Sequence, residues 1–337
     1  MITRRTILFV AVISMALCCR AVYGQVSSGV ILVVDVENYV LYAEDTPDPS
    51  KFATDPNVTT AAPSTNFTTS VQIGDIVAVN GQPAKGTFTR NVRRVSLTTT
   101  PNPGQAIADT VRGGVIADTF EILKSDGSPI GTIVSLGSPG GSPPPGAPLA
   151  VTQANFAIVG GTGAFLGARG QFGQAATSQT IAQRQASITE DPANRRRNGG
   201  GRVRFVLHVI PMSAPQIVAT PRGPAVTHSS DFSLVTASKP ASAGEILSVF
   251  LTGLGPTRPG VDPGAPFPVS PLVAVNSPVV VQVSGTNSEV LAAVDYPGTV
   301  DGYQVNFRVP SDASKGTATV QVSAAWIVGP PVSILIQ

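Results

Sequence analysis

From Arg202 to Ile210 the side chains alternate: Val203, Phe205, Leu207 and Val209 fall on one face of an extended chain, and Arg204, Val206 and His208 fall on the other. A period of two marks a strand buried on one side, because successive Cβ atoms of an extended backbone point to opposite faces. Short alternating or β-branched runs of this kind recur along the whole chain, bounded by Gly, Pro, Asn and Asp, and helical periodicity is nearly absent. Charged residues make up only 12% of the chain, while 34 glycines and 30 prolines are dispersed without a period. That balance fits turn-rich all-β domains rather than a collagen-like or disordered chain.

Eight strands are expected in the first half, over 29–36, 68–80, 86–100, 117–124, 129–136, 154–159, 164–172 and 202–210. Ser125-Asp126-Gly127-Ser128 supplies an Asp-Gly hairpin turn between two of them. Eight strands suit a closed barrel, since closure removes exposed sheet edges, and a barrel of that size holds one small ligand. Two insertions are read as loops: the Pro- and Gly-rich 138–146, and 190–201 with Arg195, Arg196 and Arg197 in succession. The arginine triplet invites a phosphate-binding reading. Next to Glu190 and Asp191 in a Gly-rich tip it reads more simply as a solvated loop.

At the N-terminus, Arg4 and Arg5 precede an apolar run of about fourteen residues, too short for a bilayer span of about twenty. Val22-Tyr23-Gly24 then forms a small-residue cleavage site, so 1–24 reads as a signal peptide and Gln25 as the mature start. The paired arginines also fit a twin-arginine address. Secretion to the periplasm, cell envelope or medium follows, with no stable membrane span after processing. Both cysteines, Cys18 and Cys19, leave with that segment, which excludes disulfides, thiolate nucleophiles and cysteine metal sites from the mature chain. Losing Arg4, Arg5 and Arg20 turns a formal net charge of +2 into −1, so nucleic acid is not an expected partner.

The run Gly160-Gly161-Thr162-Gly163-Ala164-Phe165-Leu166-Gly167-Ala168-Arg169-Gly170 follows the strand-like Phe156-Ala157-Ile158-Val159. A dinucleotide-binding turn fails on spacing, because the third glycine of the template lands on Leu166. The segment that follows also lacks the apolar stripe of a covering helix. The run resembles the signature of dirigent proteins and the related allene oxide cyclase barrels, matching at Ile158, Val159, Gly160, Gly161, Thr162, Gly163, Phe165, Ala168, Arg169 and Gly170. The direct likeness covers about fifteen residues and implies fold more securely than activity. By resemblance, Arg169 is nominated for handling the substrate, Phe165 for the end of a ligand pocket, and a homotrimer as the assembly. Gly163 and Ala164 stand where plant members often carry an acid, which weakens an acid-assisted mechanism.

After Pro211, residues 213–229 read as a Pro-, Ala- and Thr-rich linker. Six further strands are expected over 245–252, 278–284, 289–295, 302–309, 318–324 and 331–336, at the spacing of an immunoglobulin-like sandwich. Gly253-Leu254-Gly255-Pro256-Thr257 and the stretch from Gly302 to Pro310 resemble a C-terminal domain of unknown function common on secreted proteins of soil bacteria. A bacterial source would leave the sequons at Asn57 and Asn66 unused. The expected fold is therefore all-β: an eight-stranded antiparallel β-barrel over 25–212, then an immunoglobulin-like β-sandwich over 230–337.

Hydrolytic and metal chemistry find little support. The two histidines, His208 and His228, fall in different expected domains, no zinc spacing or D-x-D-x-D-G loop exists, and no G-x-S-x-G occurs. No cofactor or metal is expected. Acids and cations at strand positions include Asp118, Glu121, Arg90, Arg93, Arg94, Asp109 and Arg112, with Arg169 in the glycine run. The catalytic candidates are Arg169, Asp118 and Glu121, and the ligand-binding candidates are Phe165 and Arg169. A carboxylate inside an apolar barrel acts as an acid of raised pKa, and an arginine beside it stabilises a developing anion. Two functions are open: a barrel that binds a small apolar or aromatic molecule and guides its cyclisation or coupling without a cofactor, or a non-catalytic structural or adhesion module. A lumen cavity lined by Arg169 and Asp118 or Glu121 favours the first, and an interior packed with side chains favours the second.

Overall fold

The computed structural model describes residues 29–43, 67–95, 113–137, 156–175, 184–211, 213–262 and 264–337. The expected signal peptide, the sequon asparagines Asn57 and Asn66, Asp109, Arg112 and the 138–146 insertion lie outside the described residues. The first half contains β1 (Val30–Ala43), β2 (Phe67–Val79), β3 (Gln82–Pro83), β4 (Lys85–Val95), β5 (Gly113–Leu123), β6 (Pro129–Gly137), β7 (Phe156–Gly163), β8 (Arg169–Gln174), β9 (Arg184–Ser187) and β10 (Gly201–Ile210). Eight of them run in the order β2-β4-β5-β6-β7-β8-β10-β1, and β1 pairs back onto β2 to close an antiparallel barrel. The expected eight-stranded barrel is what forms. The short β9 is an addition to that expectation, pairing parallel to Val40–Ala43 beyond the point where β10 begins.

Register sorts the inward side chains into rows. Gly74, Phe88, Phe120 and Ile133 are direct neighbours across β2, β4, β5 and β6, and two residues along the same strands Gln72, Arg90, Asp118 and Ser135 form the next row. On β1 the pairing slips between Val36 and Tyr39, with Asn38 at φ 50°. This bulge brings Tyr39 onto the Val36 side, where its ring meets Phe88 and Phe205. Phe88, Phe120, Phe172 and Phe205 fill the middle of the barrel, with ring centroids 4.5 to 5.8 Å apart. Each such fully buried ring stabilises the fold by about 1.5–3 kcal/mol over an exposed one.

The glycine run joins β7 to β8 as expected, but the turn lies later than expected: 160–163 remain in β7, and 164–168, expected as strand, form the turn. Gly163 has φ 61°, and a Cβ there would come within 2.4 Å of Ile130 O; at Gly161 it would lie 2.3 Å from Phe165 O. Only glycine lets the turn fold this tightly against β6. Phe165 is thereby tucked into the core at 1% exposure, beside Ile130 and Ala168. It stands at the end of the barrel that carries the β5–β6 hairpin.

The second half comprises β11 (Gln216–Ile217), β12 (Ala219–Thr220), β13 (Gly223–Pro224), β14 (Val226–His228), β15 (Ile246–Thr252), β16 (Thr257–Arg258), β17 (Ala274–Val275), β18 (Val279–Val283), β19 (Thr286–Asp295), β20 (Tyr303–Arg308), β21 (Gly316–Ala324), β22 (Ile327–Val328) and β23 (Val332–Ile336). They fold into a nearly closed sandwich in the order β11-β15-β20-β19-β18-β21-β22, with β19 passing from one face to the other. Alternation again decides the core: Leu247, Val249 and Leu251 point in from β15, and Val305 and Phe307 from β20. Within the Pro-rich 213–229, β11 and β14 both pair with β15, so part of this stretch belongs to the sandwich sheet.

The two halves meet at the turn end of the barrel. Ala325 and Trp326 form the two-residue tip of the β21–β22 hairpin, with φ 46° and 64°. Ala325 and Ile327 are part of the barrel's own apolar core, and Trp326 and Ala214 pack against it. Asn276 Nδ2 donates to Pro129 O at the start of β6, and a Cβ on Gly255 would sit 3.4 Å from Ala164 Cα. The sandwich closes this end of the barrel.

Candidate functional site

The polar row of the lumen is the chemically distinctive part of the barrel. Arg90 lies on β4 between Phe88 and Val92, and Asp118 on β5 shares the parity of Ile116 and Phe120, so both point inward with the apolar residues of their strands. Arg90 Nε donates to Asp118 Oδ1 at 2.5 Å, and Ser135 Oγ donates to Asp118 Oδ2 at 2.8 Å. Asp118 is fully buried and Arg90 is 8% exposed. The guanidinium carbon stands 4.8 Å from the ring centre of Phe156, 5.5 Å from Phe88 and 5.6 Å from Phe205. Three ring faces around one cation contribute attraction, of about 0.5–2 kcal/mol for each well-placed pair. Beside this group Tyr39 OH donates to Gln72 Oε1.

One donor of this constellation is left over. Arg90 Nη2 is buried and has no hydrogen-bond partner among the described residues. An unmade hydrogen bond on a buried charged group is costly, so such a donor in a native interior is met by protein, by ordered water or by a ligand. The site is therefore an arginine held in place by a buried carboxylate, walled by aromatic rings, with an N–H to offer to an acceptor oxygen.

The residues singled out from the sequence do not all converge. Asp118 is in the lumen. Glu121 is one residue out of step with Phe120 and Ile122, is solvent-exposed and faces outward. Arg169 is also exposed; its Nη1 donates to Val159 O at 2.5 Å and Ala168 O at 3.0 Å, which ties down the β7–β8 turn. Phe165 is packed into the opposite end of the barrel from the polar row. No lumen group joins Arg169 to Asp118 or Glu121. Arg90, which does join Asp118, was readable as a strand cation but not as Asp118's partner.

Among the described residues no group of three or more His, Cys, Asp or Glu stands together as a metal site. No helix among them is long and apolar enough to cross a membrane. His208 lies on the barrel wall against Gly29, where an added Cβ would strike its ring. His228 is 4% exposed in the sandwich, with Nδ1 2.5 Å from Glu245 Oε1. Searches against protein-family models, curated proteins and solved structures find no match for this chain.

Proposed function

We propose that the protein is an exported, dirigent- or allene-oxide-cyclase-like barrel that binds a small apolar or aromatic molecule carrying an oxygen acceptor. The bound molecule would sit in the half of the lumen that holds Arg90, Asp118 and Ser135. The observation that carries this reading is the buried Arg90 Nη2 without a partner. A barrel that served only as a filled scaffold would gain nothing from an internal ion pair, since a well-packed apolar pair in its place is commonly neutral or more stable. The phenylalanine layer then acts as the floor of the site and the sandwich seals the end beneath it. Arg90 would hold the ligand's oxygen and meet negative charge that develops on it, while the rings fix the orientation of its apolar body. Guided cyclisation or coupling by this means needs no cofactor.

The phenylalanine-filled middle of the barrel favours a second reading, a structural or adhesion module of the cell envelope. Titration calorimetry with fatty-acid epoxides and phenolic compounds separates the two. The binding reading expects saturable uptake by the mature protein and its loss in the Arg90→Met/Asp118→Leu double variant. Absence of saturable uptake of every compound, or uptake unchanged in the double variant, overturns the binding reading and leaves the scaffold.

A further inference from the structure

The arginine triplet is solvated only in part: Arg196 and Arg197 are exposed, whereas Arg195 is largely covered, and Arg195 and Arg196 both reach an acid on the barrel wall. After β9, residues 188–200 turn back onto the outer wall of the barrel, held by Arg184, which forks onto Glu190 at 2.7 and 2.9 Å and donates to Gly199 O at 2.6 Å. A 3₁₀ turn (Pro192–Asn194) and the single-turn α1 (Arg195–Asn198) follow. They deliver two guanidinium groups to Asp75 on the outer face of β2. Arg196 binds this carboxylate through Nε and Nη2 at 2.7 and 2.9 Å, and Arg195 Nη2 binds it as well. Asn38, at the β1 bulge, donates to Asp75 Oδ2 at 2.9 Å.

These residues border an open groove of about 640 Å³, a volume within the small-molecule range, with Val77, Leu123 and Lys85 also on its walls. Among the residues that line the groove, three cations face one carboxylate; Glu121, beyond Thr87 in the same outer-face row, lies outside the lining. Lys85 makes no ion pair with a described residue, and Glu37, the neighbouring acid on β1, is taken by Arg202 at 3.1 Å. Arg195 Nε is buried and has no partner among the described residues, although the same guanidinium is fixed through its other nitrogens. Asp75 thus acts as the anchor that pre-orients two guanidinium groups, and a surplus of two positive charges remains beside apolar walls.

We infer that this groove is a second binding site, separate from the lumen, for a small organic carboxylate with an apolar body. The carboxylate accepts from Arg195, Arg196 and Lys85, and the body lies along Val77 and Leu123. Binding depends on ionic strength because Arg196 and Lys85 are exposed.

The test is titration calorimetry of the mature protein with octanoate, benzoate and inorganic phosphate. Octanoate and benzoate are expected to bind saturably. The Lys85→Ala/Arg196→Ala double variant is expected to bind them about tenfold more weakly, the combined loss of two partly exposed charge contacts. Arg90→Met/Asp118→Leu, expected to abolish lumen binding, is expected to leave this affinity unchanged. If the groove double variant fails to fold, Lys85→Ala alone carries the test, because its side chain makes no ion pair with a described residue. No saturable carboxylate binding, affinity unchanged in the groove variants, or loss of binding in the lumen variant overturns the assignment. Phosphate binding as tightly as octanoate overturns the apolar part of it.

Discussion

Arg90 and Asp118 face each other directly across β4 and β5 inside the barrel, with Nε 2.5 Å from Oδ1. Each is the only described neighbour that neutralises the other. Arg90→Met is therefore expected to destabilise the protein by about 3–5 kcal/mol, since it leaves a buried carboxylate without its cation. Adding Asp118→Leu removes the orphan charge and is expected to recover most of that loss. Urea unfolding of the three proteins checks this; equal instability of single and double variants would contradict it.

The aromatic floor makes a second prediction. Phe120 is fully buried and touches Phe88, Phe172 and Phe205, so Phe120→Ala is expected to cost about 3–5 kcal/mol. Glu121→Ala, one residue along the strand and facing solvent, is expected to leave the unfolding midpoint nearly unchanged. The contrast between adjacent positions tests the assigned strand parity.

The groove makes the acid limb of stability depend on Asp75. Burial pushes its carboxyl up, but hydrogen bonds from Arg196 and Asn38 and the charge of Arg195 outweigh this and hold it below the usual carboxylate value. A carboxyl whose pKa is lower in the folded than in the unfolded chain binds its proton more readily once unfolded. Its stabilisation is complete above the unfolded value, near pH 4, and fades as pH falls toward the folded one. Asp75→Asn is expected to lower stability at pH 7 and to shrink the difference from wild type as pH drops below about 4. Melting temperatures across this range provide the check, and a difference that stays constant would contradict it.

The hairpin tip in the barrel end predicts coupled domains. Ala325 is fully buried in the barrel's apolar core, so Ala325→Asp would place an unpaired carboxylate there and unseat the sandwich. Scanning calorimetry is expected to show one unfolding transition for wild type and two for the variant. Two transitions in wild type would show the contact to be weak.

Strand positions were legible because burial on one face imposes alternation, and most ends of the eight barrel strands lie within a few residues of that pattern, except that β1 runs seven residues past its expected end and β8 starts five residues late. Arg184–Ser187 was not legible: it is four residues long, Arg-Gln-Ala-Ser, with no apolar face to mark it. The short strands of 213–229 were hidden by proline and threonine for the same reason. Asp118 carried a usable signal, since it shares parity with Phe120 and Ile122, and Arg90 shares parity with Phe88 and Val92. Their pairing was not readable, because it depends on the register between β4 and β5, a long-range property that no local pattern specifies. Arg169 was nominated through the likeness of the glycine run, but its exposure follows from the turn geometry at Gly163 and Gly167. The docking of Arg195 and Arg196 on Asp75 spans some 120 residues of sequence and left no local trace.

The central claim is that Arg90 offers its free nitrogen to a ligand in the barrel. A crystal structure of the mature protein soaked with a phenolic compound that binds in solution tests this most directly. The account predicts ligand density in the lumen, with an oxygen within hydrogen-bond distance of Arg90 Nη2. An interior closed by the protein's own side chains, with Nη2 bonded to one of them, would contradict it.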